Sequence, residues 1–136
     1  MGIISLIKPL KRYEDFFYRA HTYEYLFLRK KAIQIMNTAV NQQPFSKEEK
    51  SSGLIYLGLL YSKSKEYRLA ADCYHNALEL MVNENFNYSS NFKKVIETFI
   101  KTGDHERAKY WLNNLLQRQS YDRHFKKLTL LKNKVE

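Results

Sequence analysis

Residues Leu54-Ile55-Tyr56-Leu57-Gly58-Leu59-Leu60-Tyr61, followed after a polar interval by Ala70-Ala71-Asp72-Cys73-Tyr74-His75-Asn76-Ala77-Leu78, decide how this chain folds. In the first stretch Leu54, Leu57, Gly58 and Tyr61 fall at i, i+3, i+4 and i+7, which lines up one face of a helix. Ala70, Tyr74, Ala77 and Leu78 do the same for a second helix. Small Gly58 and Ala70 allow the two helices to approach closely, while Tyr61 and Tyr74 fill the space beside them. The interval Ser62-Lys63-Ser64-Lys65-Glu66 is polar and short, as an inter-helix turn should be. Upstream, Ser46 with Glu49 three residues on forms a capping box able to start the first helix. The segment reads as a helical hairpin.

Working outward, the same pattern recurs at a period of 38 residues. Ala32, Ala70 and Ala108 keep it, as do Tyr23, Tyr61 and Phe99, and Phe16, Leu54 and Phe92. Met36, Tyr74 and Leu112 follow, then Ala39, Ala77 and Leu115, and finally Ala20, Gly58 and Ile96. A fixed period in this range is the mark of a helical-repeat architecture. In the last copy Gly103 suits the left-handed residue that ends one helix, and Asp104 suits the cap that opens the next.

The pattern Leu54-x2-Leu57-Gly58-x2-Tyr61 with Ala70-x3-Tyr74-x2-Ala77 resembles the tetratricopeptide repeat, with Leu in place of Trp and Tyr in place of Phe. The resemblance covers 51–84 and 89–118 well and 13–44 less well. In 13–44 Leu26-Phe27-Leu28 stands where a polar turn belongs, so that copy is either a hairpin with an apolar, covered turn or one long or kinked helix over 14–42. The period also exceeds the family's usual ~34 residues, and the surplus falls at Asn83–Ser89. The resemblance implies an all-α, right-handed helix-hairpin solenoid of about three repeats. A capping helix over 122–134 closes it, with Phe125, Leu128 and Leu131 on one face, and residues 1–12 form an N-terminal cap or arm.

Composition agrees. The 136 residues make one domain, and four glycines with two prolines leave little material for the turns of a sheet. A single cysteine, Cys73, excludes an internal disulfide and points to a reducing compartment. The apolar run Gly2–Leu10 is too short to span a membrane and lacks the features of a signal peptide, so a cytoplasmic location is expected. Met1-Gly2 lacks the Ser or Thr that a myristoylation signal needs, having Leu6 there. The net charge of +9 sits at the two ends: +4 over residues 1–50, zero over 51–100 and +5 over 101–136. Such ends attract acidic surfaces.

Nothing in the sequence carries enzyme chemistry or a cofactor. His21, His75, His105 and His124 form no metal-ligand spacing, no Gly-rich phosphate loop exists, and Cys73 reads as a small packed side chain. Tyr18, Tyr23, Tyr25, Tyr61, Tyr67, Tyr74 and Tyr110 read as packing residues with their hydroxyls at the surface. The expectation is a protein–protein interaction module or adaptor. By the family resemblance, its groove is lined by Phe17, His21, Ile55, Tyr56, Leu59, Lys63, Lys93, Glu97, Ile100 and Lys101, and it receives an acidic or amphipathic partner segment. The family's carboxylate-clamp pattern is absent, because Phe17 and His21 stand where its Lys and Asn would be. Three alternatives stay open: nucleic-acid binding through Lys126, Lys127, Lys132 and Lys134, a homodimer that hides the groove, and contact of residues 1–12 with a membrane surface.

Overall fold

The computed structural model describes residues 3–136, and among them there are six α-helices, three 3-10 segments and no strand. The chain divides into two compact units, Met1–Leu80 and Met81–Glu136.

The first unit contains a 3-10 turn at Ile3–Leu6, then α1 (Tyr13–Tyr25), α2 (Arg29–Gln42), α3 (Lys47–Lys63) and α4 (Tyr67–Leu80). Helix α1 begins where the Asp15 carboxylate accepts hydrogen bonds from the N–H groups of Lys11 (3.0 Å) and Arg12 (2.9 Å). The expected capping box opens α3: the Glu49 N–H donates to Ser46 Oγ and the Ser46 N–H donates to Glu49 Oε1, both at 3.1 Å. Helices α1 and α2 pack together, as do α2 with α3 and α3 with α4. Residues 14–42 are therefore a hairpin and not one long helix.

The second unit opens with the irregular stretch 81–90, followed by α5 (Asn91–Lys101), α6 (His105–Gln117) and 3-10 helices at Arg118–Ser120 and Arg123–Lys134. The surplus residues near Asn83–Ser89 thus build a loop and do not lengthen a helix. The last helix forms where expected, but as a 3-10 helix. Phe125, Leu128 and Leu131 recur every third residue, which aligns them along one edge at three residues per turn. All three are buried.

One device closes the α1–α2, α3–α4 and α5–α6 turns. Phe27, Lys65 and Gly103 have φ of 62°, 61° and 78°, at the same 38-residue period as the core positions. The following N–H reaches back in each case: Leu28 to Tyr23 O at 2.8 Å, Glu66 to Tyr61 O at 2.9 Å, and Asp104 to Phe99 O at 2.9 Å. The left-handed residue's own N–H bonds Glu24 O, Ser62 O and Ile100 O, each at 3.0 Å. This pair of bonds is the Schellman motif, which favours glycine because an L side chain is strained at positive φ. Only the third turn has glycine. Replacing Phe27 or Lys65 by glycine should therefore stabilise the protein by about 1 kcal/mol each in urea denaturation, since release of left-handed strain outweighs the added freedom of the unfolded chain. A destabilised Phe27→Gly variant would show that the phenyl ring makes a stabilising contact.

The repeat positions form the core. Of the six sets spaced by 38 residues, every member is buried except Leu54, Tyr23 and Tyr61, which are half-buried. Several tyrosines depart from the expectation of surface hydroxyls. Tyr74 is fully buried with its hydroxyl 3.2 Å from Ser62 Oγ, and the Tyr61 hydroxyl accepts from Asn37 Nδ2 at 3.0 Å. Tyr25 is almost wholly exposed, while the exposed Tyr18 and Tyr110 still meet Phe17 and Trp111 edge-on, with centroids 5.8 and 4.8 Å apart.

The described part of the N-terminal stretch packs along α1. Ser5 Oγ lies 2.6 Å from Thr22 Oγ1, Arg19 Nε donates to Ser5 O at 2.9 Å, and Arg19 also bonds Lys8 O. Leu10 packs against the core and Leu6 is half-buried, while Ile7 projects outward. Met1-Gly2 lies outside the described residues, as do the side chains of Ile3 and Ile4.

Candidate functional site

The groove residues expected in the first unit come from α1 and α3; three of them meet directly, and Lys63 joins them through Glu24. Phe17 and His21 are one turn apart on α1, with ring centroids 4.3 Å apart in an edge-on contact. The His21 ring lies flat on Tyr56 of α3, 4.5 Å between centroids and 3° from parallel. Phe17 also meets Tyr56 at 5.5 Å. Lys63, at the end of α3, donates to Glu24 Oε2 at 2.6 Å, and the Tyr56 hydroxyl donates to Glu24 Oε1 at 2.9 Å. Glu24 is thus the hub of the site, three residues beyond His21 and seven beyond Phe17 on the same face of α1. Ile55 and Leu59 lie half-buried on α3.

The electrostatics follow from this packing. Burial pushes the Glu24 carboxyl upward, but the hydrogen bonds from Lys63 and Tyr56 overcome it and hold the group below its ordinary value. Burial lowers the pKa of His21 against the opposing pull of Glu24, so His21 is neutral at physiological pH. Burial and the bond to Glu24 both raise that of Tyr56. The result is a charge-balanced aromatic cluster in which Phe17 and His21 are partly exposed over a buried Tyr56, and Lys63 is committed to Glu24. Such a surface can stack on an apolar or aromatic group of a partner.

In the second unit, Lys93, Glu97, Ile100 and Lys101 form a stripe along α5 on the side opposite its buried Phe92, Val95, Ile96 and Phe99. Glu97 lies 3.9 Å from Lys134. The basic residues of the last helix point outward, and Lys127 sits over the Tyr88 ring at 5.8 Å.

Several side chains have other roles. Cys73 is buried, and burial with nearby Asp72 pushes its thiol up to about 12, so it stays protonated at neutral pH. His75 pairs with Glu79 at 2.7 Å and His124 with Asp122 at 2.9 Å. Among the described residues no group of three His, Cys, Asp or Glu is placed to hold a metal ion, and no helix is long and apolar enough to cross a membrane.

Comparison with protein-family models, with curated proteins and with solved structures finds no match for this chain.

Proposed function

We propose that this protein is a partner-binding module of the tetratricopeptide type, whose α1/α3 face receives an amphipathic segment of another protein. The Phe17–His21–Tyr56 stack with its Glu24–Lys63 bridge carries the reading. Rigid aromatic side chains bring large contact area and have little rotamer freedom to lose on binding, which is why they dominate binding hot spots. Here the rings are oriented by one another before any partner arrives. Since Lys63 is bonded to Glu24 within the site, partner affinity rests on apolar contact. The three Schellman turns at a common period support the family reading.

The test is differential capture from lysate. Phe17→Ala and His21→Ala remove half-exposed rings, so the fold should persist by circular dichroism. A discrete protein retained by wild type after nuclease treatment should bind the double variant about tenfold or more weakly. Retention that ignores the two rings, or material that nuclease removes, would reject this face as the binding surface.

A further inference from the structure

The turn between α1 and α2 is the least expected surface of the molecule. The apolar residues there read from sequence as covered if a hairpin forms, yet within the first unit they are bare. Phe27 is 95% exposed and Tyr25 83%, with Leu26 and Leu28 at 40% and 41%. Four consecutive apolar or aromatic side chains therefore project from the tip of one hairpin. Phe27 does so from a left-handed backbone, which a bulky residue rarely adopts. The turn's backbone hydrogen bonds hold this conformation, as they do at Lys65, but the phenyl ring itself is left to solvent where glycine or a polar residue would close the turn equally well.

The surroundings of the tip are basic. Arg29, Lys30 and Lys31 follow it directly, and Lys30 and Lys31 are exposed. Arg29 Nη1 donates to Lys63 O at 3.1 Å, which brings the α3–α4 turn to the same end of the unit and with it exposed Lys65. The acidic groups at this end are Glu24, already bonded to Lys63 and Tyr56, and exposed Glu66.

We propose that this tip is an insertion finger for an anionic lipid surface: Tyr25 to Leu28 enter the interfacial layer and Lys30, Lys31 and Lys65 meet the headgroups. Charge and area both favour that occupant. Apolar side chains beside basic ones match the two layers of an anionic membrane, acyl boundary below and phosphate above. Tyrosine suits the interface, with its ring in the apolar layer and its hydroxyl in the polar one. A protein partner would need roughly 800 Å² on this side for a stable contact, whereas two exposed aromatic rings and two partly exposed leucines on a convex turn offer on the order of 500 Å². A bilayer accepts a protruding tip without a matching pocket. The finger uses none of the three rings of the α1/α3 face.

Flotation of the full chain with phosphatidylcholine vesicles, with and without phosphatidylserine, tests the assignment. Wild type should float with the phosphatidylserine vesicles and remain behind with pure phosphatidylcholine. Phe27→Gly, which relieves backbone strain and so keeps the fold, should lower the affinity roughly tenfold or more. Lys30→Glu with Lys31→Glu should lower it by at least about tenfold while leaving the thermal transition unchanged. Phe27→Trp adds an indole at the tip to a chain whose one tryptophan, Trp111, is buried, and the added emission should shift to the blue on phosphatidylserine vesicles alone. Absence of vesicle binding, or binding indifferent to Phe27, overturns the proposal. So does a solution dimer that Phe27→Gly dissociates, which would give the tip to a second copy of the chain.

Discussion

Arg118→Ala is expected to cost about 3 kcal/mol and to release the loop at 82–88 from the second unit. Arg118 is only 7% exposed, and no carboxylate is bonded to it. Its guanidinium is instead spent on neutral acceptors: Nη1 donates to Glu84 O at 2.7 Å and to Tyr121 Oη at 2.9 Å, Nη2 to Val82 O at 3.0 Å, and Nε to Asn114 Oδ1 at 3.0 Å. The Phe86 ring lies against it at 4.0 Å. Tyr121 continues the network, accepting from the Phe86 N–H at 3.2 Å and donating to Phe86 O at 3.0 Å, while the Asp122 carboxylate accepts from the Tyr88 N–H at 2.9 Å. Alanine removes every donor at once, and the loop carbonyls must find water. Each hydrogen bond to a charged group contributes about 1.5–3 kcal/mol, but the half-buried carbonyls can rehydrate, so the total falls well short of the sum. Lysine keeps the charge and lacks the planar fork, so Arg118→Lys should retain only a minor part of the stability. Hydrogen exchange gives the sharper check: the Phe86 and Tyr88 amides should lose protection while those of α1–α4 keep theirs. A variant within about 0.5 kcal/mol of wild type would show that the loop is held by its aromatic contacts alone.

These contacts also mark where sequence reading stops. The helices were legible because their information is local: the apolar spacing in 54–61 and 70–78, the Ser46–Glu49 box, Gly103 before Asp104. The 38-residue period then extended that information to the core. Arg118 gave no such signal, since an arginine at the end of an amphipathic helix ordinarily faces water. Its partners Val82 and Glu84 are more than thirty residues away and meet it only after the loop folds back. Glu24 was missed for the same reason, because Lys63 and Tyr56 reach it from another helix. At Phe27 the sequence leaves a hairpin and one long helix over 14–42 both open, for a different reason. Its turn has the same hydrogen bonds as the glycine turn at Gly103, but a phenylalanine at a left-handed position hides the turn from any composition rule. For the last helix, a spacing of three is compatible with α and 3-10 geometry alike, so Phe125, Leu128 and Leu131 identified the buried edge but not the winding. Of the expected groove, Phe17, His21 and Tyr56 enter only through the family resemblance, and neither their stacking nor the neutralisation of Lys63 is legible in the sequence.

Gly58→Ala should be the most damaging single methyl in the chain, at about 3 kcal/mol. A Cβ built on Gly58 lies 2.3 Å from Tyr74 Cε1 and 2.7 Å from its Cδ1, inside any real carbon–carbon contact. The obstacle is a ring and not the loose end of a flexible chain. Tyr74 is fully buried, and its hydroxyl is tied to Ser62 on the same helix as Gly58. To admit the methyl, either α3 and α4 must separate or the ring must leave its place and give up that bond. Alanine's better helix propensity, about 1 kcal/mol over glycine, works in the opposite direction and is too small to compensate. The steric cause can be isolated with a second change. Tyr74→Leu alone should destabilise by opening a cavity, but in its presence Gly58→Ala should become nearly neutral or stabilising, because the colliding ring is gone. The two substitutions should therefore be strongly non-additive in urea denaturation, as expected for residues in direct contact. Additive losses would mean that Gly58 is required for its backbone and not for the space it leaves to Tyr74. The close approach of α3 and α4 would then need another cause.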